Sequence, residues 1–303
     1  MKVSVIMNCY NSGKFLREAI ESIYSQTFGN WEIIFWDNAS TDDSPEIAKS
    51  FDNKLKYFRS ENNSSLGEAR NLALEKAKGE YIAFLDCDDF WLPGKLESQI
   101  PLLDSNPEAG LLYSNYYILN GDRKVLALKK GQPQGNIFGR QLSDFSVGIL
   151  TVVIRKKTLD SLATFFDPNL GLAEEFDLFL RLLYKSKAIY QEEAVAVYRV
   201  HPEMSSIKLM DKWRDEMVYV IEKFKKVYPE LGINYPKELE KRMTDLEYLS
   251  AKISMKQGDF VSARKQINKV RFLALKYFIL YICSFVPINL WHFISRYFIT
   301  RPL

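Results

Sequence analysis

Four short apolar runs alternate with helix-like stretches over the first 85 residues, and this alternation limits the fold more than any other feature. The runs cover residues 2–7, 31–36, 55–59 and 80–85. They are rich in β-branched and aromatic residues, which is typical of strands. Because the stretches between them are short and helical in pattern, we expect an α/β fold with a mostly parallel, Rossmann-like sheet flanked by helices.

Periodicity and helix-end signals support the helices. Residues 14–26 carry apolar side chains at the spacing of one helix face, and residues 66–77 are followed by Gly79, which is a common helix terminator. Ser44-Pro45 predicts a helix start. Later segments are less regular: we expect strands at 111–117, 149–155 and 194–199 and a helix at 172–183. Residues 1–207 are therefore predicted to form one α/β domain and residues 208–303 a helical C-terminal region.

The sequence excludes several kinds of site. It has no G-x-G-x-x-G after the first strand and no G-x-x-x-x-G-K-[ST], so it is neither an ordinary dinucleotide-binding domain nor a P-loop enzyme. The 3 cysteines are too far apart for zinc spacing or a disulfide framework, which fits a reducing compartment. With 2 histidines, a multi-histidine metal site is excluded. No basic-then-apolar leader begins the chain, so we expect no secretory signal.

An acidic run, Asp86-Cys87-Asp88-Asp89, directly follows the fourth predicted strand. Carboxylate oxygens suit Mg²⁺ and Mn²⁺. Sheets of this kind bind ligands beyond the ends of their strands. The run therefore indicates a site for a divalent metal and a diphosphate, with a polar turn that caps the next helix as the alternative.

Several short motifs occur in one order along the chain. They are Ser4-Val5-Ile6-Met7-Asn8-Cys9-Tyr10-Asn11, the stretches 36–42, 67–71 and 77–82, the acidic run, and then 166–168, 173–181 and 198–201. The series resembles the family 2 glycosyltransferases of the GT-A fold, whose usual pattern is P-T-Y-N after a strand, then D-x-x-S-x-D, A-R-N, A-x-G-E-Y-I and D-x-D-D. The resemblance covers residues 3–100 almost without gaps. It implies the GT-A fold.

The resemblance also implies roles for individual residues. Asp88 would be the principal ligand of Mn²⁺ or Mg²⁺, with His201 as a further ligand or a phosphate contact. The nucleotide-sugar donor, most often a UDP sugar, would contact residues that follow strands or lie in the first turn of a helix: Asn8, Tyr10, Asp37, Arg70 and Asp86. Three alternatives stay open, namely that His201 is only a structural residue, that Asp37 only caps its loop and that Arg70 is a solvated first-turn arginine.

Glu174-Glu175 stands where the family usually has Glu-Asp, with the aspartate as general base. The resemblance implies that Glu175 is the catalytic base here, since a glutamate can perform the same proton transfer. The departure from the pattern leaves Glu174 and Asp177 as alternatives. The helix dipole by itself also favours acids at a helix start.

The implied activity is an inverting, metal-dependent transfer of a sugar to a saccharide acceptor, lipid-linked as in surface polysaccharide or O-antigen assembly. One rival is a nucleotidyltransferase that makes nucleotide sugars, but residues 8–13 lack the Gly-rich, basic signature it would need. The other rival is a catalytically silent scaffold of the same fold on a membrane.

The C-terminal segment has a charge of its own. Residues 251–303 carry nine Lys or Arg and one acid, Asp259, and they are also the most apolar part of the chain. A basic, apolar segment favours an anionic membrane over nucleic acid as partner. We expect residues 271–300 to associate with the membrane, because Pro287 splits the apolar run into pieces, 272–286 and 288–299, that are too short to span it. The alternative is a helix packed on the protein's own body. The expected location is cytoplasmic, peripheral on the inner face of the cell membrane.

Overall fold

The computed structural model describes residues 1–204 and 210–285. They fall into two compact units, one within Met1–Leu209 and the other within Met210–Leu303. The predicted boundary between residues 207 and 208 lies in the stretch between the two described ranges, so it stays a prediction.

The first unit alternates strands and helices as the sequence pattern predicts. Its strands are β1 (Val3–Cys9), β2 (Trp31–Asp37), β3 (Leu55–Arg59), β4 (Tyr81–Phe84), β5 (Phe90–Trp91), β6 (Ala109–Asn120), β7 (Arg123–Leu126), β8 (Val153–Arg155) and β9 (Lys187–Val200). Its described helices are α1 (Gly13–Tyr24), α2 (Ser44–Lys49), α3 (Leu66–Leu74), α4 (Lys95–Asp104), α5 (Phe138–Ser143), α6 (Lys156–Asp160) and α7 (Glu174–Lys185). The first four predicted strands are confirmed, and their ends differ from the predicted ones by at most two residues.

These nine strands, all within the described residues, form one sheet in the order β3-β2-β1-β4-β8-β6-β9-β5, with β7 paired to β6. The pairs among β1, β2, β3 and β4 are parallel, as expected. Beyond β4 the sheet is mixed: β8 runs antiparallel to both β4 and β6, while β6 and β9 are parallel. The regular strand–helix alternation in the sequence ends at this same point.

One later strand prediction is wrong in its first half. Residues Ile149–Thr151 form a 3₁₀ helix, and the strand begins only at Val153. The indole Nε1 of Trp91 donates to the carbonyl of Leu150 at 2.9 Å, so a side chain from another segment occupies a carbonyl that a strand would use. The predicted strands at 111–117 and 194–199 lie within β6 and β9.

A buried polar contact closes the edge of the sheet where β1 begins. The hydroxyl of Ser4 donates to Glu32 at 2.8 Å and accepts the backbone N–H of Gly79 at 2.8 Å. These bonds satisfy groups that burial would otherwise leave without partners. They also attach the residues just before β4 to β1. This contact helps to fix where β4 ends relative to β1, and therefore where the acidic run begins.

The second unit is helical in its described part. It contains α8 (Met210–Val227), α9 (Leu231–Asn234), α10 (Pro236–Lys256), α11 (Phe260–Asn268) and α12 (Leu275–Cys283). A small apolar cluster joins α10, α11 and α12 through residues that include Met255, Ile267 and Leu280. The helices of the described part are too short or too polar for any of them to traverse a lipid bilayer.

Helix α12 is apolar on both of its faces. Tyr277 and Leu280 are buried in the cluster of the second unit. The opposite face and its flanks expose large apolar side chains: Phe272, Leu273, Leu275, Phe278, Ile279, Ile282 and Phe285. Helix α12 thus packs against the other helices of the second unit, as the alternative to membrane association predicted. It also exposes an apolar surface. The second predicted piece, 288–299, belongs to residues that the structure does not describe.

Replacing Gly79 by alanine should destabilise the first unit. A Cβ at this position would lie 2.8 Å from the carbonyl oxygen of Tyr81 and from the carbonyl carbon of Val3, and closer still to the amide nitrogen of Ser4. Backbone atoms in a paired sheet cannot move aside, so we expect a loss of about 3 kcal/mol in the free energy of unfolding. Gly29→Ala is the matched control, since nothing lies within 4 Å of its Cβ. Equal denaturation midpoints for the two variants would contradict this account.

Candidate active site

The carboxyl ends of three parallel strands meet at one edge of the sheet. Cys9 at the end of β1 is paired with Asp37 at the end of β2, and β1 also pairs with β4. The turn after β1 is tied to the loop after β2, because Asn11 donates its N–H to the hydroxyl of Ser40 at 3.1 Å and accepts from the N–H of Thr41 at 2.8 Å. The sheet therefore brings Asn8, Tyr10, Asp37 and the acidic run to one place.

Both oxygens of Asp37 already have partners. One accepts the N–H of Ser40 at 2.8 Å, and the other accepts the hydroxyl of Tyr57 at 2.6 Å and an N–H of Arg59. The residue is fully buried. The loop-capping alternative therefore describes what Asp37 does in this structure, and a direct contact between Asp37 and a donor stays a prediction.

The two other predicted donor contacts on the β1 turn are available for a ligand. The Nδ2 group of Asn8 is buried and has no hydrogen-bond partner among the described residues. Tyr10 is 52% exposed at the tip of the turn. Buried amides normally have partners, so an unmatched one at the edge of a sheet is a place where a ligand would supply the missing acceptor.

Asp89 is a structural residue of the acidic run. It is buried, and its carboxylate accepts the backbone N–H of Arg199 at 2.8 Å. Burial raises the pKa of Asp89 well above its usual value, with Asp88 and Asp86 acting in the same direction. The alternative that the acidic run is a polar turn that caps the next helix is wrong, because the N-cap of α4 is Gly94 and no side chain of the described residues makes a capping hydrogen bond there. Asp89 instead holds the end of β9 against the acidic run.

This bond brings the two predicted metal ligands together. The carboxylate Oδ2 of Asp88 and the ring Nε2 of His201 are 3.0 Å apart. Asp88 keeps 35% of its side chain exposed. Burial and the neighbouring Asp86 raise the pKa of Asp88, and His201 opposes them. The Nδ1 atom of His201 is buried without a partner among the described residues. One imidazole and one carboxylate are donors suited to Mn²⁺.

Two side chains do not complete a coordination shell. In residues 1–204 and 210–285 no three His, Cys, Asp or Glu side chains are grouped so that they could hold a metal ion. Metals that serve diphosphate chemistry commonly take only one or two side-chain ligands and complete their shell with phosphate oxygens and water. The pair of Asp88 and His201 therefore fits an ion that is held jointly with a diphosphate.

Arg70 lies beneath the acidic run and is only 2% exposed. Its Nη2 is 2.9 Å from Oδ1 of Asp86, and its Nη1 is 2.8 Å from Oε1 of Glu174 and 3.6 Å from Oε1 of Glu175. The solvated-arginine alternative is thus wrong. We call Arg70, Asp86, Glu174 and Glu175 the Arg70 cluster. Whether Arg70 itself touches a donor stays a prediction.

The three candidate bases on α7 differ in access. Glu174 is buried against Arg70, and Asp177 is buried and paired with Arg181 at 2.7 Å. Glu175 alone among these three keeps a substantial exposed fraction, 26% of its side chain. Burial raises the pKa of Glu175 to about 8, Glu174 and Asp86 add to this, and Arg70 opposes it. An accessible carboxyl with a pKa near neutrality is what general base chemistry requires.

Sequence reasoning missed Tyr116, which lies on β6 near Asp89 of the acidic run and Glu175 of α7. Burial raises the pKa of Tyr116 to about 12, and the charges of Asp89 and Glu175 contribute, so the phenol lies near both acids. Its ring contacts that of Tyr198 edge to face at a centroid distance of 6.4 Å. No motif marked this residue, because only the pairing of β6 inside the sheet brings it to the site.

Comparison with known proteins agrees with this geometry. Residues 4–155 match the sequence model of glycosyl transferase family 2. The chain belongs to glycosyl transferase family 2. By family it is therefore a glycosyltransferase, and the resemblance inferred from the motifs is confirmed. The matched residues include β2, β3, β4, all of β1 after its first residue, Arg70 and the acidic run, whereas Glu175 and His201 follow them.

Two curated relatives of this glycosyltransferase come from Escherichia coli, and both are named UDP-Glc:alpha-D-GlcNAc-diphosphoundecaprenol beta-1,3-glucosyltransferase. WfgD is 35% identical over 159 residues, which cover 52% of this chain and 62% of WfgD, so the match spans less than two thirds of that relative. WfaP is 33% identical over 201 residues, which cover 66% of this chain and 77% of WfaP.

A solved structure extends the comparison to the fold. The mannosyltransferase PcManGT from Pyrobaculum calidifontis, solved in complex with GDP-Man and Mn²⁺, has a TM-score of 0.57 and 18% sequence identity. The match covers 93% of this chain and 84% of that one. At this identity the likeness shows the fold alone, and the expected GT-A fold class is confirmed by it.

Proposed function

We propose that this family 2 glycosyltransferase is an inverting, metal-dependent enzyme that moves a sugar from a nucleotide sugar to a lipid-linked saccharide in surface polysaccharide or O-antigen assembly. One observation carries the proposal: Arg70 joins Asp86 of the acidic run to Glu174 and Glu175 of α7. An accessible acid with a raised pKa therefore stands beside the place where a diphosphate would bind. Neither a structural turn nor a silent scaffold would need that arrangement.

The chemistry follows from the position of Glu175. Its carboxylate takes the proton of an acceptor hydroxyl while that oxygen attacks the anomeric carbon of the donor sugar. The bond from this carbon to the diphosphate oxygen breaks as the new glycosidic bond forms on the opposite face, so the configuration is inverted. Much of the rate would come from holding the two substrates in line and from excluding water.

Asp88 and His201 would hold Mn²⁺ or Mg²⁺ at this site. When bound, such an ion neutralises charge that develops on the leaving diphosphate. Asp88 and Asp86 would otherwise face the donor phosphates with like charges. The support for a metal is the close approach of Oδ2 of Asp88 to Nε2 of His201 and the Mn²⁺ in the structure of PcManGT.

The donor we propose is a UDP sugar. WfgD and WfaP carry UDP-Glc in their names, and PcManGT was solved with GDP-Man, which supports a nucleotide sugar as the donor class. Tyr10 would lie against the base, and Asn8 would donate its unmatched amide N–H to the base or ribose. Asp37 would accept from the base after giving up one of its present partners, and Asp86 would accept from the ribose.

The acceptor and the membrane belong together in this proposal. WfgD and WfaP are named for an acceptor sugar on diphosphoundecaprenol, which is a membrane lipid. The exposed apolar face of α12 supports contact with a membrane surface, and Arg271, whose guanidinium lies 4.4 Å from the ring centre of Phe272, adds a positive charge at its border. We place the enzyme on the inner face of the cell membrane, in the cytoplasm.

Glu175→Gln should abolish transfer and leave donor binding nearly unchanged. Glutamine has the size of glutamate but cannot take a proton, so we expect kcat to fall by about 10²- to 10⁴-fold. The release of nucleotide measures transfer and donor hydrolysis. Titration calorimetry measures the affinity for the donor. Glu68→Gln is the matched control, because Glu68 is also an acid in the first turn of a helix but is exposed away from the cluster. Turnover like that of the parent enzyme would remove Glu175 from the base role.

Asp88→Asn should weaken the binding of Mn²⁺ and, in its presence, of nucleotide. Loss of one of two side-chain donors should lower the affinity for Mn²⁺ by at least about tenfold. Titration calorimetry with Mn²⁺ alone and then with UDP measures both effects. Asp122→Asn, an exposed acid in the β6–β7 turn, is the control. Unaltered affinities in Asp88→Asn would exclude Asp88 as a ligand.

Replacing Leu275, Ile279 and Ile282 together by serine should reduce membrane binding by at least about tenfold, since these exposed residues would insert apolar surface. Co-sedimentation with vesicles of phosphatidylglycerol and phosphatidylcholine measures the effect. Val261→Ser is the control, because Val261 is 71% exposed on α11 but lies off this face. The membrane proposal fails if the triple variant sediments like the control.

A further inference from the structure

One guanidinium in this site is shared by the donor side and the base. Arg70 contacts Asp86, which follows β4, and two acids on α7 that lie more than 100 positions further along the chain. We propose that Arg70 is a positioning residue that makes the base Glu175 ready to accept a proton only when a donor has engaged Asp86. The inference rests on the proposed function, because it needs Asp86 at the donor and Glu175 as the base.

The distances show an uneven sharing of Arg70. The short contacts, 2.8 and 2.9 Å, go to Glu174 and Asp86, and the contact to Glu175 is 3.6 Å. Arg70 therefore makes its strong hydrogen bonds with the two acids that are not the base. Of the three carboxyl groups in the Arg70 cluster, that of Glu175 makes the longest contact with the Arg70 guanidinium.

The charges within the cluster are unbalanced. Three carboxylates face one guanidinium that is 2% exposed, so one of the acids is favoured to keep its proton. The charged and titratable groups that face Glu175 are Arg70 on α3, Glu174 on α7, Asp86 after β4 and Tyr116 on β6. The raised pKa of Glu175 agrees with its being the acid that holds the proton near neutral pH.

Donor binding would change two contacts in the same direction. When Asp86 turns to a ribose hydroxyl, its negative charge moves away from Glu175. The Nη2 group of Arg70 then has no acid on that side, and the guanidinium can move toward Glu175. Both changes stabilise the Glu175 carboxylate, so its proton leaves to water before the acceptor's proton arrives. Glu175 would then be able to take a proton from an acceptor hydroxyl only when a donor is bound.

The closing experiment measures protons rather than activity. The full chain is saturated with Mn²⁺ and titrated at pH 7.5 with UDP-glucose, and separately with GDP-mannose, in buffers of different ionisation enthalpy. We expect donor binding to release a substantial fraction of one proton per protein. In Glu175→Gln we expect the donor still to bind but no proton to be released. Equal release in the two proteins overturns the coupling and leaves the glycosyltransferase proposal standing. Failure of both donors to bind overturns the donor proposal, and the coupling with it.

Arg70→Lys tests the arginine itself, because lysine keeps the charge but cannot contact both sides at once. We expect it to lose the proton release and to lower kcat by about 100-fold with a much smaller change in donor KM. In the parent enzyme, kcat and kcat/KM for the donor should both increase with pH. The apparent pKa from the kcat profile, which reports the enzyme with donor bound, should be about one pH unit lower than the apparent pKa from the kcat/KM profile. Arg181→Lys, which alters another arginine–acid pair on α7, should change only stability. Parent-like proton release and pH profiles in Arg70→Lys would refute the proposal.

Discussion

A buried arginine holds the site of this glycosyltransferase together. Arg70 bridges the acidic run after β4 and the first turn of α7, and both contacts are shorter than 3 Å. A buried charge is tolerated only with partners, and removal of one partner of such a pair commonly costs about 3–5 kcal/mol. The position of Glu175 relative to the donor edge therefore depends on a guanidinium that neither of those segments contains.

A second brace acts on the metal side of the site. Asp89 accepts the backbone N–H of Arg199, and two residues later His201 reaches Asp88. A side-chain carboxylate that bonds to a strand backbone places the end of that strand more firmly than loop packing could. Asp86 pairs with Arg70, Asp89 with the backbone of β9, and Asp88 with the imidazole of His201. One short acidic run thus makes three different contacts, because each of its carboxylates has a partner on a different segment of the chain.

The two units divide the work that the proposed function needs. The first unit carries the parallel strand edge, the Arg70 cluster and the pair of Asp88 and His201. In the second unit, α12 gives one face to its own apolar cluster and leaves the other exposed. An apolar surface of this kind on a helix that is too short to span a bilayer is suited to lie at the surface of a membrane.

The sequence by itself determined the four parallel strands, the helices between them and the acidic run, because periodicity of two or 3.6 residues is a property of neighbouring positions. The ordered motifs also identified the family and named Asp88, His201 and Glu175. Only the tertiary structure decided which acids Arg70 pairs with, that Asp89 braces β9 rather than a helix, that Tyr116 lies beside the acids and that Ile149–Thr151 is not a strand. Each of these depends on contacts between residues far apart in the chain, and no local pattern records where such partners meet.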